Sequence, residues 1–202
     1  MKKQILTIGA AMLFIVGSVI FIGCGNSESH AEGEEHAEEG GEHHENTAAF
    51  EGEKVKDLSL ILDSYFQLKN ALVKDDAKAA AKASEKLLSA FNGFDMAAVT
   101  EDKMQEYMEI TEDAVENAEH ISENADKIDH QREHLVNLSE DINDLIVLIG
   151  SDRKLYQDFC PMANDGNGAT WISETEEIQN PYMGSKMPTC GKIQQELSLI
   201  HI

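Results

Sequence analysis

The coordination chemistry available to this sequence is concentrated in a few cysteines, methionines and histidines. Between Cys160 and Gly191 the chain gathers two of its three cysteines, all three prolines, the only tryptophan and three of the eight methionines. Cys160 and Met162 stand at one end of that stretch, Met187 and Cys190 at the other. Thiolate and thioether sulfurs are polarizable donors, and together they favour Cu(I) over the hard cations that prefer oxygen. A metal-handling protein outside the cytoplasm is the first expectation.

The same two cysteines have a second use. A Cys160–Cys190 bridge would close a loop of about 30 residues and add roughly 3 to 4 kcal/mol on the chain-entropy estimate. Disulfides are the default in an oxidising compartment. A bridge would remove both thiolates as ligands and leave Met162, Met187 and the histidines. Thiolate site and disulfide both remain open on the sequence.

The first residues say where the chain lives. Lys2 and Lys3 precede an uncharged apolar run from Ile5 to Ile22, the order of a secretory signal. The run ends at Phe21-Ile22-Gly23-Cys24, which resembles a bacterial lipobox with Cys24 as the lipidated residue. A plain transmembrane anchor is the alternative, since about 18 apolar residues can just span a bilayer. Either way the expectation is export, with residues 1–23 as the signal peptide and the protein held in the cell envelope through lipid, facing the periplasm or the exterior.

Residues 24–50 read as a tether. Glu28 to Glu45 holds eight glutamates and four histidines with no large apolar side chain, too little apolar surface to offset chain entropy. His30, His36, His43 and His44 lie among those carboxylates, where neutral imidazoles can loosely bind zinc or another divalent ion. An acidic spacer is the plainer use of the tract. With 16 basic against 38 acidic residues the formal charge is −22, which repels phosphate backbones and excludes nucleic acid as a partner.

What remains must position the ligands. Residues 51–150 carry apolar positions at steps of three and four, as in Leu58, Ile61, Leu62, Tyr65, Leu68 and Leu72. Asp75-Asp76 breaks the first helix from the second and offers a cap. Asn92-Gly93 stops the second, and Thr100 opens a third with an inward face through Met104, Tyr107, Met108, Ala114, Ala118 and Ile121. A single helix over 101–149 would run about 75 Å against about 30 Å for its predecessors. A turn near Asn124-Ala125-Asp126 is therefore expected. The fold class is all-α: a four-helix up-and-down bundle, with residues 151–202 as an irregular, turn-rich loop segment packed on it and completing the same domain.

That turn brings His120 to the height of His130 and His134 on the neighbouring helix. The latter two are spaced i, i+4 and share a helix face. Such a pair can hold metal, and it also arises on ordinary solvated helices. Arg132, between them, is expected to point inward and pin the C-terminal segment through a carbonyl or carboxylate.

The run Tyr65 to Asp76, the segment Gln131-Arg132-Glu133-His134-Leu135, and the Cys160 to Gly191 stretch with its Cys-Pro-Met-Ala and Asn-Pro-Tyr-x-Gly-x-x-Met-x-x-Cys-Gly elements resemble a domain of unknown function. That family occurs as free bacterial lipoproteins and as a C-terminal domain on CusB-type membrane-fusion subunits of copper and silver efflux pumps. The resemblance spans roughly residues 54–195, with Leu135 in place of an aromatic and Pro188 in place of leucine. It implies a periplasmic heavy-metal role and a copper efflux complex as partner. Carried over residue by residue, it implies Cys160, Met162, Met187 and Cys190 as sulfur ligands with His120 and His134 as imidazole donors; His130 is a secondary candidate from its spacing alone.

Two functions follow as expectations. One is a copper-binding lipoprotein acting as buffer or chaperone to efflux. The other is a disulfide-braced module that docks on an efflux or envelope complex without binding metal. No nucleophile triad, phosphate loop or catalytic carboxylate pair stands out, so the chain is not expected to be an enzyme.

Overall fold

The computed structural model describes residues 57–197. The lipobox with Cys24, and the tether histidines His30, His36, His43 and His44, lie outside the described residues. No helix among the described residues is long and apolar enough to cross a membrane.

Four α-helices are present among the described residues: α1 (Ser59–Val73), α2 (Ala77–Gly93), α3 (Met104–Glu123) and α4 (Ile128–Ile149). Short turns join α1 to α2 and α3 to α4, and each helix packs chiefly along its sequence neighbour. Asp76 caps α2 as its position predicts, its carboxylate accepting from the Ala79 N–H at 2.9 Å. The break between α3 and α4 falls where the length argument puts it. The core is the apolar stripe of each helix: Leu62, Tyr65, Leu68 and Leu72 from α1, Leu87 from α2, Ile121 from α3, and Leu135, Leu138, Ile142 and Leu145 from α4, all fully buried. Met108 departs from expectation, being 54% exposed.

The all-α expectation needs correction. Residues 155–197 are not simply an irregular loop but build a three-stranded antiparallel sheet of β1 (Leu155–Cys160), β2 (Ala169–Ser173) and β3 (Lys192–Leu197), in the order β2-β1-β3. Tyr156 pairs with Ser173 and Cys160 with Ala169 across one ladder, and Leu155 with Leu197 across the other. β2 lies against α4, and α1 packs on α4 far less than on α2. The Tyr65 hydroxyl stitches the layers together, sharing a 2.8 Å hydrogen bond with Ser139 and accepting from the Ile172 N–H at 3.1 Å.

Arg132 holds the segment between β2 and β3 to the helices, as its spacing predicts. Its side chain is buried, with Nε donating to the Pro181 carbonyl at 2.8 Å and a terminal nitrogen to the Leu72 carbonyl at 3.0 Å. The same nitrogen pairs with Asp75. Hydrogen bonds from Ser185 and Arg132 hold the Asp75 carboxyl at about 2, below the usual carboxylate range. Gly184 makes this approach possible. It sits at φ +51°, and any Cβ there would strike the Asp75 carboxylate and the Arg132 guanidinium.

Candidate metal centre

His120 lies in the last turn of α3, and His130 and His134 lie in the first two turns of α4. The helix break folds the two ends together. One ring nitrogen from each of the three histidines lies within 4.8 Å of the other two. The His120 and His134 rings stack at 4.4 Å with 7° between their planes, while His130 stands edge-on to His134 at 4.6 Å. All three are partly exposed, so an ion has access from solvent.

Second contacts aim the nitrogens. The Asn117 side-chain oxygen lies 3.0 Å from Nδ1 of His134, and the Glu133 carboxylate 3.0 Å from Nδ1 of His130. Both partners are acceptors, which in the neutral ring favours the hydrogen on Nδ1 and leaves the Nε2 lone pair for a ligand. This is how metal-ligating imidazoles are commonly oriented. Burial, followed by the neighbouring His120 and His130 charges, lowers the His134 pKa below its ordinary value. The deprotonated ring is the form that ligates.

His120 and His134 also line a groove of about 400 Å³ between α3 and α4, shared with Asp113, Glu116, Glu140 and Asp141. Burial, then the charges of Asp113, Asp144 and Glu140, push the Asp141 carboxyl up to about 7. The field in this groove is negative and suits a cation.

The sulfur residues are arranged separately. Cys160 and Cys190 face each other with their Sγ atoms 2.7 Å apart, yet neither thiol belongs to the group of nitrogens formed by the histidines. Met162 is 55% exposed and lines another groove, with Asp129, Glu133, Tyr182 and Met183. Met187 follows the short helical turn Gly184–Lys186, and its carbonyl accepts from the Cys190 N–H at 3.2 Å. Of the six ligands implied by the family resemblance, the structure thus joins His120 to His134 and Cys160 to Cys190. It adds His130, the secondary candidate, to the imidazole group as a full member.

Asn117 and Glu133 were not foreseen. Each stands three residues from a histidine, Asn117 before His120 and Glu133 after His130, a spacing that brings side chains together on a helix. Glu133 could have been found by that rule. Asn117 serves His134 on the other helix, which only the folded pairing of α3 and α4 reveals.

A family model described as a protein of unknown function (DUF3347) matches residues 61–154. The match begins within α1, takes in α2, α3 and α4 with His120, His130 and His134, and stops before Cys160. No curated protein and no solved structure matches the chain.

Proposed function

We propose that this protein is an exported, lipid-anchored metal-binding protein that takes up a transition-metal ion, copper foremost, at His120, His130 and His134, as a buffer or chaperone linked to efflux. The observation that carries this reading is the convergence of three imidazole nitrogens within 4.8 Å. Two of the rings have their Nδ1 engaged by acceptors. A nitrogen-only set suits copper, zinc or nickel, whereas selection of Cu(I) rests mainly on sulfur. The proposal therefore moves from Cu(I) to Cu(II), with zinc as the nearest competitor. Three protein ligands leave a position open, the mark of a site that exchanges its ligand rather than one that is closed and structural.

The lipobox-like Cys24 and the apolar run before it support placement in the envelope. The efflux link rests on the resemblance to domains carried by copper-pump subunits. Titration of the full chain with Cu(II), with the tether histidines His30, His36, His43 and His44 replaced by alanine, tests the site. One equivalent of tightly bound ion is expected, lost on His120→Ala with His134→Ala. Binding that survives in that double variant would refute the reading.

A second reading has its own support. The close Cys160 and Cys190 pair and the Arg132 anchor favour a braced module that docks on an efflux or envelope complex and binds no metal. It predicts no stoichiometric uptake by the described domain.

A further inference from the structure

We infer that Cys160 and Cys190 form a disulfide rather than a metal site, and that the bridge closes in a fixed order in which Cys190 reacts first. The two Sγ atoms are 2.7 Å apart, about 0.7 Å beyond the length of a formed bridge. An ion bound by both thiolates at about 2.3 Å with tetrahedral angles would need them about 3.8 Å apart. Metal would have to push the pair open by about 1 Å, whereas oxidation draws it together.

The surrounding backbone resists such opening. Cys160 ends β1 and is paired in register with Ala169. On the other side, the Asn180 side-chain amide donates to the Cys190 carbonyl at 2.6 Å. Gly191, at φ +144°, is pressed so close to the sheet that a Cβ would stand 2.8 Å from the Trp171 ring and 3.0 Å from the Phe159 carbonyl.

Order follows from access. Cys160 is fully buried and Cys190 only partly. A small disulfide such as oxidised glutathione can reach Cys190, whose thiolate attacks one glutathione sulfur and expels the other half as a thiol. The Cys160 thiolate then attacks the Cys190 sulfur of the mixed disulfide and expels the second glutathione. One S–S bond forms as one breaks. The two cysteines lose two electrons and two protons, and the two glutathione thiols carry them away.

The test needs no metal and so fails or succeeds independently of the histidine site. Reduced full-length protein is treated with oxidised glutathione, and peptides are followed by mass spectrometry, which separates Cys24 from the other two. The wild type is expected to give a Cys160–Cys190 cross-linked peptide through a transient adduct on Cys190. Cys160→Ser should accumulate that adduct, and Cys190→Ser should leave Cys160 at least tenfold slower to react. Because either variant can be unstable, the native reduced wild type is also pulsed with iodoacetamide, where alkylation of Cys190 should precede that of Cys160. Equal labelling, labelling of Cys160 first, stable adducts on both cysteines, or thiols that react only after a chelator is added would each overturn the inference.

Discussion

The amide oxygen of Asn117 on α3 lies 3.0 Å from Nδ1 of His134 on α4, and so one helix sets the orientation of a ligand carried by the other. Asn117→Ala should weaken Cu(II) binding by about tenfold or more, the usual cost of losing an orienting partner. Asn117→Asp, which keeps an acceptor, should bind near the wild-type level. Isothermal titration of the three proteins makes the comparison.

His134→Ala removes the central ring of the cluster, which lies within 4.6 Å of both of the others. It should lower Cu(II) affinity by far more than about tenfold. Met162→Ala should leave that affinity unchanged, since Met162 lines a different groove. Equal losses in the two variants would restore the mixed sulfur and imidazole site read from the sequence.

Arg132→Ala should cost about 3 kcal/mol of stability in urea unfolding, because the Leu72 and Pro181 carbonyls lose a charged donor inside the fold. Arg132→Lys should recover only part of that loss, as an ammonium lacks the planar fork that reaches both carbonyls. Gly184→Ala should also destabilise, through its positive φ and the collision with Asp75 and Arg132.

Asp141 supplies a pH signature. Its folded pKa, about 7, lies above the ordinary carboxylate value of 3.8, so the folded state holds the proton more tightly than the unfolded chain does. The associated stability is present in acid and is lost as pH rises from about 4 through 7. Asp141→Asn should therefore raise the melting temperature more at pH 8 than at pH 5. A gain that is the same at both values would contradict the assignment.

The helices were legible because their burial is periodic. Leu58 through Leu72 and Leu135 through Ile146 repeat at helical steps, and Asp76 marks a start with a side chain that caps. The sheet was hidden for physical reasons. β1 reads Leu-Tyr-Gln-Asp-Phe-Cys and buries the charged Asp158 completely, while β3 is an edge strand exposed at every position except Leu197. Neither shows the apolar alternation by which a half-buried strand announces itself. Met108 failed in the opposite sense, an apolar residue on the expected inward stripe that nevertheless faces water. The site divided along the same line. Histidines joined by one local turn could be placed together from spacing alone, whereas the separation of the thiols from them depends on a sheet the pattern did not reveal.

The connection from Asn124 to Lys127 gives residues ten positions apart a common address. A helix advances about 100° per residue, so a single amino acid inserted in α4 between His134 and Leu135 would turn the residues on one side of it by that amount against those on the other. With Leu135 and Leu138 kept in the interior, His130 and His134 would swing away from His120; with the histidines kept in place, the leucines would leave the core. Coordination and core are thus tied to one helical phase, and the imidazoles cannot drift round α4 without the apolar interior opposing it.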